Sequence, residues 1–590
     1  MIYLENKPII EFSFFTDGRS VSETAAAALN GYLRKLCGAE IGRAKQVGAN
    51  TVCFAVNDCD AEDCARICFN GQTLTFGGGK RGIVYSVYVF LEEYVGCRFF
   101  APDCETLPQE DVRLNPFSYA HTPQIGFRMY LGNAAQDDVF SLKRKFNGML
   151  WNTHDFKEEQ GGGYDFAGVP AHTLTGEVLL KPYVSTNPEF FSLVGGKRLT
   201  DAKGQVCMTS EEALQAVVRE SRKILDRNAN KNIISISQGD NGNFCECERC
   251  QKAVARQGLI KTYFSFVNGV AAELKKSHPY VKVHTLAYQK TLDLPCDLPF
   301  EDNVLIQYCT GEWCKIHAIT DGSCKQNVKM KESFERLADG KRSLYVWDYL
   351  NCFRRELLLM PDFFHILTDY RYLAEKGVKG LLMEGEHRAS DGYAAMHELR
   401  CYLASLAAWD PEMPYEKYLC RMKEFIRAYY GSDNVFEVLR LYTEKSASAH
   451  CNYDGWRFDS PLDGAVTADT SDMKVIRLPA GEDFSETMNE IYRLLDGALE
   501  GATDVRKDRL EKVYACMLWC DLYRTMSGTL AHGTPEEKTV ALQKNARLVR
   551  DIYKYRLIIT FWGQNIEDQL AQMKNEHYEN LPPDRWNYAW

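Results

Sequence analysis

Between Thr122 and Pro411 the chain alternates short apolar, β-branched runs with amphipathic helical ones, and this alternation restricts the architecture more than any other feature. Strand-like runs fall at residues 127–131, 146–151, 205–208, 233–237, 282–288, 304–309, 344–349 and 378–383. Helical spacing fills residues 211–228, 260–277, 327–338 and 362–376, and a last helix over 394–409 stops at Asp410-Pro411. Strands alternating with helices make a parallel sheet covered by helices. Eight such units over this length predict an α/β fold, a (β/α)8 TIM barrel. The third run is the least regular, because residues 155–201 are long and Gly-rich. In a barrel such an insertion belongs to the active-site face.

The flanks follow other patterns. Residues 1–120 read as a small α+β domain: a helix over 21–37, strands at 51–56 and 72–76, then the turn GGGKRG at 77–82. That turn lacks the Lys-Ser/Thr of a phosphate-binding loop and the spacing of a dinucleotide fingerprint, so it predicts a tight strand-to-helix connection. A helix over 83–94 follows, with Gly96 placed to cap it. After Pro414 strands largely give way to amphipathic helices at 415–430, 484–499, 505–526 and 535–561. The expected division is an N-terminal α+β domain (1–120), a barrel (121–412) and a helical C-terminal domain (413–590).

The chemistry is expected where the strands end. After the fourth run stand Asp240 and Asn241; after the fifth, Tyr288 and Gln289; after the sixth, Glu312 and Trp313, with Cys314 and His317 close by. The seventh carries Trp347, Asp348, Tyr349 and Asn351, and the eighth Glu384, Glu386, His387 and Arg388. Any one of these acids alone reads as a helix cap or a solvated group. Together, on one face of a barrel, they supply the two carboxyl groups that glycoside hydrolysis requires, with aromatic and amide groups to hold a sugar. Glu312 is the expected general acid, with apolar neighbours such as Trp313 raising its pKa, and Asp240 its partner. Asn241, Tyr288, Trp347, Asp348, Glu384 and Glu386 are expected to bind substrate.

Other chemistries rank lower. The chain shows no G-x-S-x-G elbow and no H-E-x-x-H helix. Cys245, Cys247 and Cys250 have C-x-C-x2-C spacing, with Cys207, Cys309 or Cys314 as further ligands. That spacing is compatible with a structural metal and equally with buried thiols. No cofactor is required for the expected reaction. A net charge of −10 argues against nucleic acid or an anionic membrane as partner. The expected partner is an oligosaccharide or the glycan of a glycoprotein. The start MIYLENKPIIEF has no signal-peptide pattern, and 21 cysteines without one suggest a reducing cytoplasm.

These motifs also carry a resemblance. SQGDNGNFCECERC, LAYQKT, CTGEWCKIH, YVWDYLNCF, GVKGLLMEG and ELRCYLASLAAWDPE, in that order, resemble the family called domain of unknown function 4838. The likeness starts at NPEFFSLVGGKR and QVCMTS and runs over roughly residues 187–430. That family includes glycoside hydrolase family 163, endo-β-N-acetylglucosaminidases acting on N-glycans. The segment GKRGIVYSVYVFLEEYVGCRFFAPD is similar to the non-catalytic domain that precedes the barrel in β-hexosaminidases and α-glucuronidases. The resemblance implies a barrel hydrolase acting on a β-linked, N-acetylhexosamine-containing glycan, and supports Glu312 and Asp240. It departs after the eighth strand: where many members have an acid followed by Gln-Gly, this chain has Met383-Glu384-Gly385-Glu386. That departure leaves a carbohydrate-binding protein without catalysis as the alternative.

Overall fold

The structure, a computed structural model, describes residues 1–148, 156–163, 166–229, 231–295, 297–338, 342–352, 356–386, 393–447, 449–452, 455–458 and 484–557. The first unit is built on strands β1 (Ser13–Thr16), β2 (Gly42–Arg43), β3 (Thr51–Val56), β4 (Ala65–Phe69), β5 (Thr73–Gly78) and β6 (Phe117–His121), in the order β6-β4-β5-β3-β1-β2. Helices α1 (Ser20–Cys37) and α2 (Gly82–Val89) pack on it around a core of their own. The glycine turn between β5 and α2 is a packing device. Gly78 sits at φ +119°, and a Cβ there or at Gly82 would lie 1.8 Å from the Cys64 carbonyl oxygen. Backbone passes backbone too closely for any side chain. One π-helical turn (Phe90–Val95) extends α2 until Gly96, in the left-handed region, ends it.

The second sheet positions the site. Its strands are β7 (Phe127–Leu131), β8 (Ile233–Ser235), β9 (Lys282–Ala287), β10 (Val304–Cys309), β11 (Ser343–Tyr349) and β12 (Gly380–Glu384), all parallel in the order β7-β12-β11-β10-β9-β8. Among the described residues this is a six-stranded half-barrel. Alternation sorts its side chains: Phe127, Met129, Leu305, Cys309 and Trp347 share an inner cluster. The intervening Ile306, Tyr308 and Val346 join the outer core beneath the helices. Outside lie α3 (Glu211–Arg227), α4 (Glu248–Gln257), α5 (Leu259–Ser277), α6 (Lys325–Glu335), α7 (Ile366–Glu375) and α8 (His397–Trp409). Helix α3 starts where the sequence indicates, the Ser210 hydroxyl accepting from Ala213 N at 3.1 Å.

The third predicted strand is corrected. Residues 205–208 do not enter this sheet; Val206 makes a single antiparallel bridge to Phe191. Val206, Cys207 and Met208 are apolar because they are buried in the outer core, and periodicity alone does not separate that from a strand. The edge of β8 is completed from the long insertion. Phe166 bridges Ile233, Ala167 N donates to Ile233 O at 2.7 Å, and Leu174 N donates to Ser237 O at 2.9 Å. At the opposite edge, Asn147 N and Gly148 N donate to Arg128 O at 3.0 and 3.3 Å. The remainder of the predicted second strand, 149–151, lies outside the described residues.

Helices α9 (Tyr415–Tyr429), α10 (Asn434–Ser446), α11 (Phe484–Leu499), α12 (Asp504–His532) and α13 (Pro535–Tyr555) share the outer core with the half-barrel. Between α10 and α11 stands a hairpin the sequence did not suggest, β13 (Ala449–Asn452) with β14 (Gly455–Phe458). A buried ion cluster fixes the first unit to the half-barrel. Glu92 accepts from Arg144 Nη1 at 2.6 Å and from Lys145 Nζ, and Arg144 Nε donates to Ser405 Oγ of α8 at 2.9 Å. Burial pushes the Glu92 carboxyl up, but the two cations outweigh it and hold it at about 2. Among the described residues no helix is long and apolar enough to cross a membrane.

Candidate active site

The carboxyl ends of β8 to β12 gather the acids, and the structure separates them by environment. Glu384 is the last residue of β12, in register with Tyr349 of β11 and Leu131 of β7. It is 2% exposed, and the Trp347 indole donates to its Oε2 at 2.5 Å. Burial pushes its carboxyl up to about 8; the Trp347 hydrogen bond opposes this and the charge of Asp240 adds to it. A group held there favours its protonated form at neutral pH, and Asp240 lies within electrostatic reach of it. Burial pushes the Cys309 thiol of the inner cluster up, Tyr349 opposes this by hydrogen bonding, and Glu384 and Asp240 add to it.

Asp240 is exposed on the loop after β8, where Tyr288 Oη donates to its Oδ1 at 3.0 Å and Gln289 Nε2 at 3.2 Å. The loop is held from behind. Buried Gln205 donates through Nε2 to the carbonyls of Gly239 (3.0 Å) and Asn241 (2.8 Å) and accepts from Gly239 N at 2.9 Å. The Asn241 side chain serves the same loop, accepting from Gln205 Nε2 at 3.1 Å and donating to Ala202 O at 3.1 Å. Gln205 was missed as a site residue because its signal, a polar residue at the head of an apolar run, reads as the start of a strand.

Glu312 is half-buried in the turn after β10, whose backbone carbonyl accepts from Gln326 Nε2 of α6. Trp313 points to the helix layer, packing edge-on against Tyr308 and Phe334 at 6.1 and 5.7 Å between ring centres. Asp348 lies deeper: Lys315 Nζ pairs with it, Thr310 Oγ1 donates at 2.9 Å and Tyr370 Oη at 3.1 Å. Against its burial, Lys315 first and then these hydrogen bonds hold its carboxyl below the ordinary range. Glu386 is buried toward β7, accepting from Asn133 N, with His397 Nε2 at 3.8 Å. Burial raises its carboxyl, and Oε2 has no hydrogen-bond partner among the described residues. His387 and Arg388 lie outside the described residues. Below the site, His284 is spanned by Ser235 Oγ (3.1 Å) and Gln307 Oε1 (2.7 Å), and burial lowers it to about 4. It is a buried, neutral residue of β9 within the half-barrel.

The cysteine cluster sits beside the Asp240 loop. Cys207 joins Cys245, Cys247 and Cys250, with all four sulfurs within 4.8 Å of one another. Cys207 Sγ lies 3.8 Å from Cys247 Sγ and 3.7 Å from Cys250 Sγ. Tetrahedral zinc with bonds of about 2.3 Å sets its sulfurs roughly 3.8 Å apart, so the donor set fits such an ion. Leu193 N and Arg198 Nη1 approach Cys245 Sγ at 3.4 and 3.7 Å, donors that would favour a thiolate were a metal bound there. Cys309 is in the inner cluster of the half-barrel and Cys314 elsewhere, so of the further ligands considered only Cys207 joins this cluster.

The half-barrel with its preceding domain is similar to solved glycoside hydrolases. One is a family GH115 4-O-methyl-α-glucuronidase with specificity for decorated arabinogalactans (TM-score 0.57, 11% identity, covering 91% of this chain and 76% of that one). Another is a family 89 glycoside hydrolase from Clostridium perfringens in complex with 2-acetamido-1,2-dideoxynojirmycin (TM-score 0.51, 10% identity, covering 90% of this chain and 65% of that one). The fold is thus one that glycoside hydrolases use. Residues 99–442 match the family described as Domain of unknown function (DUF4838), and the chain belongs to that family. No curated protein sequence matches it.

Proposed function

We propose that the chain is a glycosidase in which Glu384 is the proton donor and Asp240 the partnering carboxylate. One observation carries this reading: a buried carboxyl held at about 8, coupled to the charge of Asp240. Two acids whose surroundings push them apart can divide the work, one protonating the leaving oxygen and one steadying positive charge, attacking, or activating water. Glu312, which the sequence favoured as acid, stands on the neighbouring loop as a further contact to substrate. Tyr288 and Gln289 orient Asp240, and Trp347 partly offsets the burial that raises Glu384. The closure of the half-barrel into an eight-stranded barrel, through 146–148 and 166–174, belongs to the same proposal. So does a structural metal on Cys207, Cys245, Cys247 and Cys250, which would brace the Asp240 loop.

The substrate we propose is a β-linked glycan containing N-acetylhexosamine, a reading supported by the motif resemblance. Digestion of N-glycoproteins and aryl N-acetylhexosaminides, followed by mass spectrometry, tests it with wild type, Glu384→Gln and Asp240→Asn. Release of glycan by wild type and its loss in both variants is the expected result. Glycan bound but never cleaved by wild type would favour the binding-protein reading, and wild-type turnover by Glu384→Gln would remove the acid assignment.

A further inference from the structure

The turn that carries Glu312 continues into a second group of metal-ligand side chains. Cys314 and His317 lie on the loop after β10, Cys324 precedes α6, and His450 comes from β13, |i−j| = 126 residues beyond Cys324. The four ligand atoms all lie within 4.8 Å of one another. Cys314 Sγ to His317 Nδ1 is 3.3 Å and Cys324 Sγ to His450 Nδ1 is 3.6 Å. Around tetrahedral zinc, with bonds of about 2.0–2.3 Å, ligand atoms stand roughly 3.3–3.8 Å apart. Two of the pairs are therefore already at coordination spacing, and all four groups lie within a short adjustment of it.

Their surroundings are arranged for ligation. His317 Nε2 is 2.9 Å from the Ala447 carbonyl oxygen. An N–H on that nitrogen leaves the Nδ1 lone pair facing the sulfurs, the usual way a coordinating imidazole is oriented. Asn327 fixes the loop from both sides, accepting from Cys314 N at 2.8 Å and donating to the carbonyls of Cys314 (3.1 Å) and His317 (2.9 Å). Hydrogen bonding alone accounts for this meeting poorly, because thiols are weak donors and acceptors and gain little from being gathered with two imidazoles.

We propose that Cys314, His317, Cys324 and His450 bind a zinc-type divalent ion as a closed structural centre. Binding replaces the two thiol protons, which leave to solvent, so two thiolates and one dication make a neutral unit suited to a half-buried place. Four protein ligands leave no open position, which makes the role structural. The ion would tie β13 to the turn in which Glu312 is two residues before Cys314 and Lys315, next in sequence, pairs with Asp348. The C-terminal region would thereby hold part of the site wall in place. This inference rests on the cluster's geometry and stands whether or not the chain cleaves glycans.

Metal content of the full chain, by plasma mass spectrometry, tests it against His450→Ala, Cys324→Ser and His450→Cys. Loss of one zinc per chain in the first two, with retention in His450→Cys, is the expected result, since a thiolate can replace the imidazole while a methyl cannot. Cobalt loaded into a Cys250→Ser background should give the visible bands of a tetrahedral ion with two sulfur and two nitrogen donors. Zinc content equal to wild type in both His450→Ala and Cys324→Ser, or no tetrahedral cobalt band in the Cys250→Ser chain, would overturn the proposal.

Discussion

The indole nitrogen of Trp347 donates to Oε2 of Glu384 at 2.5 Å, joining the middle of β11 to the end of β12 inside the half-barrel. The bond favours the ionised carboxylate and partly offsets burial, which still carries the group up to about 8. If Glu384 is the acid, the alkaline limb of kcat/KM falls near that pH. Trp347→Phe removes the donor and should move the limb upward while lowering kcat. A pH–rate profile of both proteins measures this; an unmoved limb would mean that another group sets it.

Asp240 acts on the same carboxyl in the opposite sense. Its charge raises Glu384, so Asp240→Asn should move the limb downward and reduce kcat by about 10²-fold or more if Asp240 takes part in the chemistry. Tyr288→Phe removes the 3.0 Å hydrogen bond to Asp240 but leaves its charge. That variant should lose activity with little displacement of the limb. The two profiles side by side separate charge from orientation.

Stability carries an independent signature of Glu384. Between the ordinary carboxyl value of 4.5 and about 8 the folded chain keeps this proton while the unfolded chain releases it. Its contribution is fully present below 4.5 and is lost as pH rises through 8, with a slope of at most about 1.4 kcal/mol per pH unit. Glu384→Gln is neutral throughout. The stability of the variant relative to wild type should therefore rise from pH 5 to pH 8 in urea titrations, and a constant difference would show that Glu384 ionises normally.

What was legible in the sequence depended on whether one periodicity sufficed. β7 and β10 have the predicted bounds, 127–131 and 304–309, because each is a short, mainly apolar run whose alternate residues face two cores. Residues 205–208 have the same apolar character and are a buried loop, since burial without regular pairing leaves the same trace. Glu384 does stand at a strand end, and Asp240 and Glu312 lie on the loops after their strands, but their environments could not be read from sequence. Glu384 and Glu312 look alike in sequence; only the fold places the first at a strand end against an indole and the second in a half-buried turn. Cys207 and His450 were the least visible of the cluster residues, because each meets its partners through tertiary contact across |i−j| of 40 and 126 residues.

Glu92 joins the first unit to the half-barrel through two buried cations. Glu92 is buried with Arg144 and Lys145, both also buried, and is the carboxylate that both cations contact. Glu92→Gln keeps the shape and leaves two charges short of a partner in a low-dielectric space. Removing one member of such a group costs about 3–5 kcal/mol. Because the folded carboxyl is held at about 2, its contribution is present above the ordinary value of 4.5 and is lost as pH falls through 2. The gap in stability between wild type and Glu92→Gln should thus be wide at pH 7 and narrow progressively below pH 4.5 in urea titrations. Replacing both ends, as in Glu92→Leu with Lys145→Met, should recover part of the loss, since apolar groups of similar volume fill the space without needing a counter-charge. A double variant no more stable than Glu92→Gln would mean that Arg144 alone dictates the carboxylate. Its guanidinium also donates to Ser405, and no apolar pair could then substitute for the link between α2 and α8.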